Sequence, residues 1–155
     1  MSGNDLKKHV VIVGGGFAGL ACARKLGKSD AVRVTLIDKN NFHQFQPLLY
    51  QLATSELDTG DVATSLRQAL HGHPNVDVKL GEVTAADPRA RTATTAEGHT
   101  YQGDFLVLAA GSQANFFGTA GARQVKVRAE TALAAFTTPS SGGWIMFGKS
   151  PADGL

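Results

Sequence analysis

The sequence predicts an α/β fold in which a parallel sheet is accompanied by a small antiparallel meander. Two uninterrupted apolar runs, at 10–13 and 105–108, have the composition of parallel strands that are buried on both faces. A helical stretch of small residues separates the first run from another β-rich segment at 32–38. This order of strand, helix and strand is that of a βαβ unit, and it gives the fold class.

The first strand ends in a glycine-rich turn. Gly14, Gly16 and Gly19 form the pattern G-x-G-x-x-G between the strand at 10–13 and a helix predicted from 17 to about 26. Gly14 lets the chain turn sharply, Gly16 leaves room for a pyrophosphate, and Gly19 lets the helix approach the sheet. Because the helix N-terminus also offers unpaired N–H groups to phosphates, the turn predicts a dinucleotide site in a Rossmann-like domain.

The second β-rich segment ends in a carboxylate at the position that such a site requires. Asp38 lies 19 residues beyond Gly19, where an acid accepts hydrogen bonds from ribose hydroxyls. Ala23 continues the close-packed face of the helix by one turn. The alternative is an ordinary βαβ unit with a solvated acid, and the strand and helix that flank the glycines disfavour it.

Composition excludes several classes of function. The formal charge of +2 and the lack of a basic cluster argue against nucleic-acid binding. The single cysteine, Cys22, excludes an internal disulfide and is expected to be a buried packing residue. No metal site is expected, because the five histidines are scattered. With a polar start and no run of roughly 18 to 20 apolar residues, a soluble cytoplasmic chain is expected.

Two further helices are predicted after the second strand. Pro47 favours the first turn of a short helix that extends to about Ser55. Its apolar residues cover most of its circumference, so it either packs in the core or lies against a flat apolar surface. The next helix is expected from Val62 to about Leu70, with Asp61 as its N-cap.

The rest of the predicted sheet structure is shorter. The segment 76–80 alternates like a half-exposed strand, and 81–85 is expected to bend and continue it. Short strands near 90–95 and 100–102 complete the meander. The strand at 105–108 is expected to be fully buried and to end in small residues, at the edge of the sheet where ligands collect.

Three stretches of the chain resemble a known family. They are VVIVGGGFAGLACARKL, VTLIDKNNFHQFQPLLYQLATSELDTGDVATSLR and FLVLAAGSQANFFGTAG. Together they resemble the start of a type II NADH dehydrogenase, the non-pumping NADH:quinone oxidoreductase of the two-dinucleotide-domain flavoproteins. The resemblance covers roughly residues 9–121, and F-x-P-L-L-Y-Q is its most specific part.

The resemblance implies that the first βαβ unit holds FAD. It places Asp38 on the adenosine ribose, Lys39 beside the adenine, and the backbone of Val83 against the adenine. It brings Pro47 and Leu48 near the flavin ring. The residues implied to bind the cofactor are Gly14, Gly15, Gly16, Phe17, Ala18, Gly19, Asp38, Lys39, Gln46, Pro47, Leu48, Val83, Ala109, Ala110 and Gly111. The commoner family pattern has Thr in place of Ala110.

The chemistry implied by the resemblance belongs to the cofactor. NADH reduces the flavin, and the reduced flavin passes two electrons to a membrane quinone, so no catalytic side chain is expected. NADH and the quinone are the implied partners, a homodimer is a further expectation, and a full-length member lies on the cytoplasmic face of the membrane.

The chain departs from the family after about residue 121. A second G-x-G-x-x-G unit for NADH and the C-terminal membrane-docking region are missing, and 123–155 match nothing in the family. We therefore expect an FAD-binding portion at 1–121 and an irregular tail at 122–155, from a truncated or frame-disrupted product that cannot oxidise NADH alone.

Two alternatives stay open. One is another flavoprotein, although a disulfide reductase needs a cysteine pair that 39–60 lack, and a sulfide-oxidising relative needs several cysteines. The other is a nucleotide-binding module or fragment without catalysis. A half-built sheet would leave the strand at 105–108 and the Pro47 helix partly uncovered.

Overall fold

The computed structural model describes residues 7–111, which contain nine strands and four α-helices. The predicted boundary near 121 and the tail at 122–155 lie outside the described residues. The strands are β1 (Lys8–Val13), β2 (Val32–Asp38), β3 (Phe42–Gln44), β4 (Ala63–Ser65), β5 (Val76–Leu80), β6 (Val83–Asp87), β7 (Thr92–Thr95), β8 (Thr100–Gln102) and β9 (Phe105–Leu108). The helices are α1 (Phe17–Leu26), α2 (Leu49–Ala53), α3 (Thr59–Val62) and α4 (Leu66–Ala69), with a 3₁₀ turn at Gln46–Leu48.

The main sheet is parallel, in the strand order β5-β2-β1-β9. Val10 of β1 pairs with Val34 of β2 on one side and with Phe105 of β9 on the other. Every residue from Val10 to Val13 is buried. The α/β class and the central position of this strand are therefore confirmed.

Each face of the main sheet carries its own apolar cluster. On one face, α1 and α4 pack against the alternate residues of β1 and β2, and Cys22 is a partly buried neighbour there. On the other face, residues of the three-stranded sheet β6-β7-β8 pack against Val11, Val13 and Ile37. The predicted meander is confirmed, and it covers the sheet face opposite α1.

The predicted strand continuation at 81–85 is wrong. Strand β6 leaves the parallel sheet and pairs antiparallel with β7. Gly81 is buried and donates its N–H to the Asp38 carbonyl oxygen at 2.9 Å, which ends the pairing of β5 with β2. The chain therefore changes sheets at this glycine.

The predicted helix from Val62 to Leu70 is interrupted by a strand. Ala63–Ser65 forms β4, which pairs antiparallel with β3, so tertiary pairing overrides the local helical pattern. The N-cap of α3 is Asp58, whereas Asp61 is the third helical residue and accepts a hydrogen bond from the Asp58 N–H at 3.0 Å. The assignment of Asp61 as N-cap is thus wrong.

Two expectations of burial are also wrong. Phe105 and Leu108 of β9 are 56% and 55% exposed, because β9 pairs with β1 alone among the described strands. The segment that starts at Pro47 is a 3₁₀ turn followed by α2, and none of its residues is buried. Tyr50 is 63% exposed, so the core-packing alternative for this segment fails.

A buried histidine joins the main sheet to the three-stranded sheet at the amino end of β1. The ring nitrogens of His9 lie 2.9 Å from the Gln102 carbonyl oxygen and 2.9 Å from the Thr35 hydroxyl. The carbonyl can only accept, so Nδ1 carries the proton and Nε2 accepts from Thr35 in the neutral ring. Burial, and then the nearby Arg33 cation, lower the pKa of His9 below its ordinary value of 6.5, although the hydrogen bond to the Gln102 carbonyl and then the Asp104 carboxylate oppose them.

We expect the free energy of unfolding to fall as the pH drops below 6.5, the ordinary pKa of His9. The folded chain binds this proton less readily than the unfolded chain, so its contribution is complete above that pKa and decreases below it. Urea unfolding at a series of pH values measures the slope. His9→Gln should flatten it, whereas exposed His71→Gln should not; an unchanged slope in His9→Gln contradicts the assignment.

Candidate nucleotide site

Two glycines of the loop after β1 are required by close backbone packing. Gly14 has a φ of +100°, and a Cβ there would overlap the Ala109 carbonyl oxygen. A Cβ on Gly19 would overlap the carbonyl oxygen of Gly14. The predicted sharp turn is thus present at Gly14. The predicted close approach of α1 is also present, but at Gly19 the helix lies against the backbone of the glycine loop at Gly14.

Gly16 lies in a different environment. It is exposed, its backbone is extended at the N-cap of α1, and a Cβ there would meet no atom of residues 7–111 within 4 Å. No side chain caps α1, and its first turn contains no acidic residue. The N–H groups at this end of the helix therefore have no side-chain cap among the described residues and carry a partial positive charge, which suits an anion.

The carboxylate of Asp38 lies beside the loop, at the carboxyl end of β2. Its Oδ2 accepts a hydrogen bond from the Gly15 N–H at 2.5 Å, and its Oδ1 accepts one from the Asn40 N–H at 2.7 Å. The Gly14 N–H also bonds to the Ile37 carbonyl oxygen at 2.8 Å. The acid that the spacing identified is therefore adjacent to the glycines, and it also fixes their loop.

The small residues after β9, at 109–111, lie against the glycine loop that follows β1. The Ala109 N–H donates to the Val13 carbonyl oxygen at 2.8 Å. Ala110 Cα is 3.3 Å from the position of a Cβ on Gly14, and Gly111 has a φ of +70°. The structure thus brings this segment against the glycine loop, at the carboxyl edge of the sheet.

A cleft of about 610 Å³ opens beyond the carboxyl end of β2. Val83, the first residue of β6, directly follows Glu82, which lines this cleft. Lys39, predicted to lie near an adenine, is one of its walls. The cleft is lined by Lys39, Asn40, Leu80, Gly81, Glu82, Glu97 and His99.

Sequence reasoning missed an aromatic and imidazole group over the start of α1. His43 of β3 places its Nδ1 3.2 Å from the Gly15 carbonyl oxygen. The Phe17 ring meets those of His43 and Phe45 edge-on, at centroid distances of 5.1 and 5.4 Å. Strand β3 has only three residues, which is too short for hydrophobic periodicity to predict it. The contact of His43 with the loop could therefore not be predicted from the sequence pattern.

The residues predicted to lie near the flavin ring come directly after Phe45 in the chain. Gln46 and Pro47 are exposed and Leu48 is half-buried in the 3₁₀ turn after Phe45. Ala18, also predicted to bind the cofactor, is exposed in the first turn of α1. These side chains are accessible to a ligand, and Phe45 connects them to Phe17 at the loop.

Other chemistry is limited within residues 7–111. No group of three metal-ligating side chains occurs in this part of the chain. None of its helices is long and apolar enough to cross a bilayer.

The pyridine nucleotide-disulphide oxidoreductase family model matches residues 8–141. The chain is 45% identical to the type II NADH:quinone oxidoreductase NdhA of Mycobacterium tuberculosis over 115 residues, which are 72% of this chain and 24% of that protein. It is 43% identical to the Ndh protein of the same organism, again over 72% of this chain and 25% of the relative. The chain thus spans about a quarter of the length of these relatives.

Solved structures have the same fold. The sulfide:quinone oxidoreductase of Aquifex aeolicus matches with a TM-score of 0.68 and 25% identity, over 85% of this chain and 33% of that one. The NDH2 structure from Plasmodium falciparum in complex with NADH matches with a TM-score of 0.61 and 25% identity, over 72% of this chain and 24% of that one.

Proposed function

Because this chain belongs to the pyridine nucleotide-disulphide oxidoreductase family, we propose that it is the FAD-binding part of a type II NADH:quinone oxidoreductase. The observation that carries the proposal is the open, uncapped N-terminus of α1 at Gly16, beside a loop whose other glycines are held by packing.

The pyrophosphate is the part that the loop accommodates best. The N–H groups of Gly16, Phe17 and Ala18 have no hydrogen-bond partner within the described part of the chain. They precede the first intrahelical hydrogen bond, which Leu20 donates to the Gly16 carbonyl oxygen at 2.9 Å. Each N–H can donate to a phosphate oxygen, and no first-turn carboxylate repels the ligand. The backbone that carries these N–H groups is fixed by the hydrogen bond of Gly15 to Asp38 and by the packing of Gly19 against Gly14.

The adenosine half would lie over the carboxyl ends of β2 and β5. Each carboxylate oxygen of Asp38 accepts one hydrogen bond from the protein and keeps acceptor capacity for a ribose hydroxyl. The cleft beside Lys39 has the size for an adenine, and the first residue of β6, Val83, offers backbone groups at its border.

The isoalloxazine would extend in the other direction, toward the exposed 3₁₀ turn. Pro47 and Leu48 supply apolar surface there, and Gln46 supplies an amide. Ala109, Ala110 and Gly111 have side chains small enough to let the cofactor pass close to the backbone. Bound FAD would supply the two-electron chemistry between NADH and a quinone, while these residues bind and orient it.

The activity of the whole protein is part of the same proposal. The sequence has one G-x-G-x-x-G loop, which we assign to FAD, so we expect this chain alone not to oxidise NADH. Docking on the cytoplasmic face of a membrane and dimerisation are assigned to a full-length relative.

Flavin absorbance tests the proposal. The purified 155-residue chain, mixed with FAD and desalted, should stay yellow, and titration followed by flavin fluorescence should give a dissociation constant. FMN is the matched control: it lacks the adenosine that Asp38 and the cleft recognise, so it should bind much more weakly.

Two results would contradict parts of the proposal. A colourless chain that binds NADH would mean that the cofactor assignment is wrong. A chain that bleaches with NADH and recolours with a quinone would contradict the assignment of NADH oxidation to a longer protein.

A further inference from the structure

We propose that His43 is a positioning residue for the pyrophosphate loop. Its Nδ1–H holds the Gly15 carbonyl oxygen and so aims the next amide, that of Gly16, at the phosphate. This inference rests on the proposed function, and it names a residue to which the glycine motif assigns nothing.

Gly15 is contacted at its N–H, at its carbonyl oxygen and at its Cα. Its N–H donates to Asp38 Oδ2 at 2.5 Å, and its carbonyl oxygen lies 3.2 Å from His43 Nδ1. A Cβ on Gly15 would lie 2.7 Å from Leu66 Cδ1, so the core packs directly against it. A carbonyl oxygen can only accept a hydrogen bond, and therefore Nδ1 of His43 must carry a proton.

The geometry of the peptide bond transmits this contact to Gly16. In a planar trans peptide, the carbonyl oxygen of Gly15 and the N–H of Gly16 point to opposite sides. Because His43 holds the oxygen on the β3 side, the N–H is directed away from β3. Among the described residues, no atom lies within 4 Å of the position of a Cβ on Gly16, so the space beside this residue is free for an anion.

The backbone of His43 is anchored through the β3–β4 ribbon to the core. His43 pairs with Thr64 in the β3–β4 ribbon. The ribbon is tied to fully buried Leu66, whose N–H donates to the Asn41 carbonyl oxygen at 2.9 Å. The Phe17 ring lies edge-on against the imidazole at 5.1 Å. Fixed in this way, His43 can resist displacement of the loop when a phosphate is absent.

A series of substitutions at His43 tests the proposal. His43→Leu keeps the bulk but removes the donor, and it should weaken FAD binding about five- to tenfold, the effect of one hydrogen bond. His43→Asn places its amide NH₂ near the position of Nδ1 and should restore affinity to within about twofold of the parent chain. His71→Leu, on an exposed turn, is the matched control and should leave affinity unchanged.

The tautomer of His43 provides a readout that needs no FAD. Long-range ¹⁵N–¹H spectra of the cofactor-free chain should show the proton on Nδ1, whereas free imidazole side chains favour Nε2. A proton on Nε2 would overturn the proposal, as would an Asn variant that binds as poorly as the Leu variant. If the parent chain binds no FAD, the proposed function fails, and the tautomer alone decides whether His43 holds the loop.

Discussion

Gly16→Val is expected to abolish retention of FAD while the chain remains folded. In the described part of the chain no atom lies within 4 Å of a Cβ at this position, and the backbone is extended, so this part of the fold accepts the side chain. The branched side chain would instead fill the space that the pyrophosphate needs. Loss of two charge-assisted hydrogen bonds, at about 1.5–3 kcal/mol each, weakens binding roughly 150- to 25,000-fold.

The matched control for this substitution is Gly72→Val. A Cβ on Gly72 would also have no atom of residues 7–111 within 4 Å, but Gly72 lies in the turn after α4 and not in the glycine loop. Flavin fluorescence should show parental affinity for this variant, and thermal unfolding should show that both variants fold. Parental affinity in Gly16→Val would mean that the phosphate does not contact this end of α1.

The core of the site could be predicted from sequence because it depends on local chemistry. Positive φ at Gly14 and backbone overlap at Gly19 admit no side chain, and so the glycine spacing carries the geometry of the loop. Asp38 was located by its distance along the chain from those glycines. Its bond to the Gly15 N–H shows that the acid also fixes the loop.

The parts that sequence reasoning missed depend on distant pairing. The residues of β4 follow a helical pattern from Val62 to Leu70, and only pairing with β3 makes them a strand. The contact of His43 with Gly15 follows from that pairing, because β4 brings the ribbon over the loop. The exposure of Phe105 could not be predicted either, since composition does not say whether a strand is paired on one side or on both, and β9 pairs only with β1 among the described strands.

Gly19→Ala should destabilise the chain even though alanine is the better helix former. Helix propensity alone predicts a gain of about 1 kcal/mol. However, the new Cβ would overlap the Gly14 carbonyl oxygen, which is backbone and cannot rotate aside. We expect a net loss of about 2 kcal/mol or more in the free energy of unfolding, measured by urea denaturation.

Ala21→Gly gives the matched comparison, because Ala21 is exposed on the same helix. That change should cost about 1 kcal/mol from propensity alone. Adding and removing a methyl group on α1 should therefore both destabilise the chain, which propensity cannot explain. If Gly19→Ala were stabilising, α1 would not lie against the Gly14 backbone, and the amides of its first turn would not be held where a pyrophosphate can reach them.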